Sequence, residues 1–184
     1  AVSDFFEGNR EYGNLPRKFK MTITGCAEDC SQSQINDIGL TPAKKEIDGE
    51  WQYGFHAKVG GGLSDGPRMA SPLDLFIPPE DAVEFCRAVA QTFKELGDRH
   101  NRGVCRMRYL VEQVGPEKYE EAIRDRATVE FPTQGVDLTE GYRGDHTGVH
   151  EMKQNGLNYV GFNVIAGRMG GDEFAEAARA AQEY

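Results

Sequence analysis

The stretch Leu15–Cys30, LPRKFKMTITGCAEDC, decides how the rest of the chain is read. Over Phe19–Thr24 the residues alternate, with Phe19, Met21 and Ile23 on one side and Lys18, Lys20, Thr22 and Thr24 on the other. A period of two is the signature of a β-strand with one face on a core. The other face carries two ammonium groups at i and i+2, roughly 7 Å apart along the strand. Like charges held that close on a rigid strand repel unless an anion lies between them. Arg17, Lys18 and Lys20 are therefore either a solvated edge that discourages strand–strand association or an anion site.

The cluster stands out because the chain as a whole is acidic, with a formal net charge of −9 over 184 residues. That balance argues against non-specific binding to nucleic acid or to anionic membranes. The length suits one sizeable core plus a smaller attachment. No apolar run approaches the ~20 residues of a membrane span, and no signal peptide opens the sequence. Of the four cysteines, Cys26, Cys30, Cys86 and Cys105, none is needed to staple a chain this large, so a reducing cytoplasm is the expected compartment. Cys86 falls on the apolar side of a helix and reads as a small buried hydrophobe. Cys26 and Cys30 form a C-x3-C, which is not a zinc spacing and has no second ligand pair. The spacing accommodates two corners of an iron–sulfur cluster but not a complete site.

Outward from the lysine strand, residues 1–14 lack a sustained period and read as a lead-in. Ser31–Asp37 reads as a short helix with Ser31 near its start. Leu40–Ile47 and Trp51–Val59 read as strands joined by Asp48-Gly49, a hairpin dipeptide. Val59–Pro67, VGGGLSDGP, is either a flexible turn or a place where backbone approaches a flat ligand or an anion. It is neither a dinucleotide fingerprint nor a P-loop. Leu73–Ile77 reads as a strand, and Pro78-Pro79-Glu80-Asp81 starts a helix that ends at Gly97. Its buried stripe is Ala82, Val83, Cys86, Val89, Ala90 and Phe93.

Arg99–Arg108, RHNRGVCRMR, is a second cationic cluster. The helix it leads into buries Val104, Met107, Leu110, Val111 and Val114, while Arg102, Cys105, Arg106 and Tyr109 share another face. That face is either solvated or suited to carboxylates, which guanidinium forks bind bidentately. A further helix runs from Gly115-Pro116 to about Arg126. The turn-rich stretch 127–148 reads as a linker. Beyond it come a strand at Leu157–Ile165 and a helix at Asp172–Tyr184 with Phe174, Ala177, Ala178 and Ala181 on its apolar face. One strand and one helix cannot bury a core, and the sequence stops in mid-helix, so the expectation is a piece of a larger protein.

Taken together, LPRKFK, Ile35-Asn36-Asp37 and Val59–Ser64 (VGGGLS) resemble the first siroheme-binding half of the ferredoxin-type nitrite/sulfite reductases. Arg106–Gly115 is similar to the next block of that family, and Gly148–Met169 resembles the opening of its second repeat. The resemblance implies an α+β fold: a mixed α/β domain over 15–126, with a central sheet and flanking helices, plus an incomplete ferredoxin-like segment over 149–184. It implies a six-electron reduction of sulfite to sulfide or nitrite to ammonia, with ferredoxin or a similar donor and the remaining domains of the polypeptide as partners. Siroheme and a [4Fe–4S] cluster belong to the full-length enzyme, and neither is expected on this piece alone.

By the same resemblance, Lys18 and Lys20 hold the substrate anion, and Arg17, Arg106 and Arg108 meet siroheme carboxylates. Asn36 and Gly60, Gly61 and Gly62 line the macrocycle. Cys26 and Cys30 stand where the other half of the family keeps cluster ligands, and they are expected to be vestigial, with no metal here. Lys20 leans toward sulfite, since nitrite reductases of the family tend to have asparagine there. Without the resemblance, the same residues describe a non-redox anion-binding or structural module.

Overall fold

A computed structural model describes residues 1–63, 66–140, 147–152, 154–164 and 168–183. The chain forms two units, Ala1–Tyr142 and Arg143–Tyr184. The first runs α1 (Val2–Phe6), β1 (Met21–Ile23), a 3₁₀ turn at Ser33–Ile35, β2 (Ile38–Ile47), β3 (Glu50–Val59) and β4 (Ser71–Ile77). It continues through α2 (Ala82–Leu96), α3 (Met107–Val114), α4 (Pro116–Arg124) and β5 (Val136–Asp137).

The sheet grows from the β2–β3 hairpin, whose register runs from Ile38↔Val59 to Ile47↔Glu50. Asp48 and Gly49 form its two-residue turn, with φ of +54° and +83°. Two successive left-handed residues match the turn to the twist of the strands, and Asp-Gly reaches that conformation at low cost. β4 lies beyond β3, antiparallel to it. The other edge of β2 holds β1, parallel, at Met21↔Ile38, and then β5, antiparallel, at Ala43↔Asp137. One face of this sheet presents Ile38, Leu40, Ala57, Val59, Leu73, Leu75 and Ile77 to Phe85, Val89, Phe93, Met107, Val111, Tyr119 and Ile123 of the helices. Phe19 stacks on Phe93 at 5.7 Å and so fixes the approach to β1. Cys86 is fully buried, and burial pushes its thiol up to about 12.

Three expectations change. The alternation of the lysine strand holds at Phe19 and Met21 and then slips, leaving Ile23 40% exposed and Thr24 buried. The slip follows from the strand ending there: the Thr24 N–H still pairs with Leu40 O, while its Oγ1 turns to accept the Cys26 N–H. Val104 is exposed rather than core, because α3 begins only at Met107 and no helical period reaches it. The expected linker at 127–148 is in its first part a packed element of the first unit. Phe131 is buried edge-on against Phe85 at 5.7 Å, and the Phe76 N–H donates to Pro132 O. The Gly135 N–H donates to Nε2 of buried His56, whose pKa is lowered by burial, so a neutral ring serves as the acceptor. A single aromatic anchor in an extended segment has no period to read.

Glu84 ties this segment to α2. Its carboxylate accepts Nε and Nη2 of Arg87, both at 2.7 Å, and the Thr128 N–H at 2.6 Å. The Arg87 hydrogen bonds above all hold its carboxyl at about 2. The folded value lies below the unfolded one, so the pairing stabilises above the unfolded pKa of about 4.3 and is lost as pH falls toward the folded one. Urea unfolding followed between those values is expected to lose roughly 1–3 kcal/mol from this group, and Glu84→Gln to flatten that part of the profile.

In the second unit, β6 (Gly148–Glu151) pairs antiparallel with β7 (Asn158–Gly161), and α5 spans Gly171–Glu183. The sequence supplied β7 but not β6, and the expected strand end at Ile165 lies outside the described residues. Val149, Val160, Phe162, Ala177, Ala180 and Ala181 line an open apolar hollow, and Phe174 is exposed.

Candidate functional site

Because β1 and β2 are parallel neighbours, the connection between them must return to the start of β1, and this brings Asp37 beside Lys20. The Lys20 N–H donates to Asp37 Oδ2 at 2.9 Å, and the next residue closes the pairing, Ile38 N–H to Lys20 O at 3.0 Å. From the other side Arg106 Nη2 donates to Oδ2 at 2.9 Å and to Oδ1 at 3.2 Å. Asp37 is fully buried. Burial raises its pKa from the ordinary carboxylate value, against the Arg106 guanidinium and the Lys20 N–H, which pull it down. The two cationic segments of the sequence thus meet on one buried carboxylate.

Sequence reasoning missed Asp37 as a functional residue. A signal existed: an acid directly preceding the buried run Ile38–Leu40 must find a cation or a set of donors once it leaves water.

The segment above the carboxylate is the glycine run, all of it buried. Gly60 has φ of +81° and donates its N–H to Asp37 O, and the Gly61 N–H donates to Asn36 O. A Cβ on Gly61 would strike the Gln34 carbonyl oxygen and lie 2.7 Å from Asn36 O; one on Gly62 would lie 2.6 Å from Arg108 Nη1. The glycines therefore admit the protein's own 33–37 turn and its own arginine. The Gly62 N–H pairs with Arg68 O across a bridge, so these amides serve the fold before any ligand. Ser64 and Asp65, the end of the glycine motif, lie outside the described residues.

The other expected contacts fall into two groups. Arg108 is buried: Nη1 donates to Leu63 O at 2.7 Å and the guanidinium lies 5.0 Å from the Tyr109 ring centre. It straps the glycine loop to α3. The Asn36 side chain turns back to Gln32 O at 2.9 Å. Arg106 is committed to Asp37 through Nη2, while its buried Nε has no hydrogen-bond partner among the described residues. Arg17, Lys18 and Lys20 are exposed, and none forms an ion pair among the described residues. Cys26 and Cys30 are exposed with their sulfurs 3.6 Å apart, and no third histidine, cysteine or acid joins them among the described residues.

Three exposed cations on the segment leading into β1, beside a buried carboxylate that holds the Lys20 N–H, sit in a domain of mixed α/β type. More particularly, the chain belongs to the nitrite and sulphite reductase 4Fe-4S domain family, which residues 1–131 match. It is 40% identical to the assimilatory ferredoxin-dependent nitrite reductase of Haloferax mediterranei over 93% of this chain and 31% of that protein. It is 34% identical to the chloroplastic ferredoxin–nitrite reductase of Oryza sativa subsp. japonica, over 100% of this chain and 31% of that one. The solved structure of Mycobacterium tuberculosis NirA superposes on 86% of this chain and 28% of its own length, with a TM-score of 0.74 at 28% identity. The chain thus spans about a third of the length of these curated relatives.

Proposed function

We propose that this chain supplies the anion-holding part of a siroheme-dependent, ferredoxin-linked reductase that takes nitrite to ammonia and accepts sulfite as a second substrate. The observation that carries this reading is the cation set Arg17, Lys18 and Lys20, exposed and without an ion pair among the described residues, with the Lys20 N–H held by Asp37. Siroheme is a polycarboxylate, and exposed Arg17 together with the unsatisfied Arg106 Nε suits it. The bound group would supply the iron that takes the oxyanion and passes electrons to it. In this reading the [4Fe–4S] cluster is held by the remaining domains of the polypeptide.

Lys18 and Lys20 then act as electrostatic clamps. Their ammonium groups draw the anion out of water, stabilise charge that grows on its oxygens, and donate a proton from Nζ as an oxygen leaves as water. Being exposed, they regain that proton from solvent. The relatives are named for nitrite, whereas the extra charge of Lys20 suits dianionic sulfite. Ferredoxin as donor accords with the names of those relatives. The cytoplasm is the proposed compartment, since a chain of this size needs no disulfide to hold its core.

The test is turnover of the cofactor-loaded protein containing this chain, with reduced ferredoxin or methyl viologen as donor. Ammonium is expected from nitrite and sulfide from sulfite, and Lys20→Asn is expected to lower kcat/KM for sulfite roughly tenfold more than for nitrite. Loaded protein that consumes neither anion would overturn the reading.

A further inference from the structure

We propose that Cys26 and Cys30 form a thiol–disulfide couple, a modification site in the connection after β1 that closes on reaction with small disulfides of the glutathione class. Both thiols are exposed and their sulfurs stand 3.6 Å apart. A disulfide needs about 2.05 Å, so closure asks the two sulfurs for a combined approach of about 1.5 Å.

The loop between them is already braced. The Cys26 N–H is held by Thr24 Oγ1 at 3.0 Å, and the Asp29 N–H returns to Cys26 O at 3.2 Å. The Asp29 carboxylate accepts the Ser31 hydroxyl, the Ser33 N–H and the Ser33 hydroxyl, the last at 2.6 Å. Asp29 itself has φ of +48°, a left-handed bend within the loop that joins the two cysteines. A loop ordered this way has little freedom left to lose on bond formation. The other two cysteines are placed differently: Cys86 is fully buried, and Cys105 is buried with its thiol donating to Arg102 O.

The local hydrogen bonds also order the pair. The Glu28 backbone and the Cys30 thiol lower the Cys26 pKa from its ordinary value, while the same thiol–thiol contact raises that of Cys30. The Cys26 thiolate attacks one sulfur of glutathione disulfide, expelling a glutathione thiolate that takes up a proton. Cys30, losing its own proton, then attacks the Cys26 sulfur of the mixed disulfide and expels the second glutathione. The protein gives up two protons and two electrons, and one glutathione disulfide becomes two glutathiones. The bond formed braces the connection between β1 and β2, the same connection that delivers Asp37 to Lys20.

The experiment equilibrates the protein containing this chain in glutathione buffers of rising disulfide share, quenches it with acid, alkylates it and maps the peptides by mass. The peptide spanning Cys26 and Cys30 is expected to pass from doubly alkylated to internally bridged, two hydrogens lighter, and to return on reduction. In Cys30→Ser the same treatment is expected to leave glutathione on Cys26. Both residues still alkylated at the oxidising end, or each separately carrying glutathione in the unaltered protein, would overturn the couple. Faster glutathionylation of Cys30 in Cys26→Ser than of Cys26 in Cys30→Ser would overturn the order of attack. These readouts register thiol chemistry alone, so they stand apart from whether the protein reduces nitrite.

Discussion

Replacing Lys18 and Lys20 together by alanine is expected to lower the proposed nitrite turnover by about 10³-fold while leaving stability within about 0.5 kcal/mol of the unaltered protein. Both effects follow from the same placement. The two side chains are exposed and make no ion pair among the described residues, so the fold loses little with them. In the proposed site their ammonium groups would face an anion whose charge grows as oxygen departs, and a single such donor is worth about 10²–10³ in other active sites. The pair acts on one anion, so the single variants are expected to sum to more than the double. Steady-state rates with reduced methyl viologen, run beside urea unfolding curves and the visible spectrum, separate the cases. Unchanged turnover in the double variant removes the catalytic assignment. A lost siroheme spectrum with the fold intact reassigns the lysines to cofactor binding.

Asp37→Ala is expected to cost about 3–5 kcal/mol, the largest stability loss among the residues of the site. The fully buried carboxylate is the only partner that the described residues give the Arg106 guanidinium, and it also accepts the Lys20 N–H. Removing it leaves a guanidinium mostly out of water and a backbone donor unmet. Asp37→Asn keeps an oxygen for the Lys20 N–H but loses the charge, and is expected to fall about midway. Adding Arg106→Met to Asp37→Ala is expected to recover about 1–2 kcal/mol, because the stranded cation goes with its partner. Denaturant curves for the unaltered protein, Asp37→Ala, Arg106→Met alone and the double variant complete the cycle. An Asp37→Ala loss below about 1 kcal/mol would mean that water has replaced the carboxylate and that the pin is not structural.

What the sequence disclosed and what it hid divide along chain distance. The β2–β3 hairpin was legible because Asp48 and Gly49 carry their turn within two residues, and α2 because its apolar stripe and its Pro79–Asp81 start are both local. Lys18, Lys20 and Arg17 were legible as an exposed cluster for the same reason. The pairing of Asp37 with Arg106 spans 69 residues, and nothing in either neighbourhood names the other. The burial of Arg108 was not legible because a helix facing a glycine loop leaves room for a guanidinium only once the loop has closed on it. The register of β5 rests on two residues and one buried phenylalanine, too short for any periodicity. The family resemblance filled part of this gap by naming residues whose company the pattern alone could not supply.

The crowding around Gly60, Gly61 and Gly62 sets a rule for anyone reshaping this protein's substrate range. A combinatorial library that randomises those three positions would spend its diversity on sterically closed backbone, where every added carbon meets Val111, the 33–37 turn or Arg108. The neighbouring Leu63 and Met69, 58% and 62% exposed on the same loop, have open space around them. Sequence drift and laboratory evolution should both find their tolerated variation there.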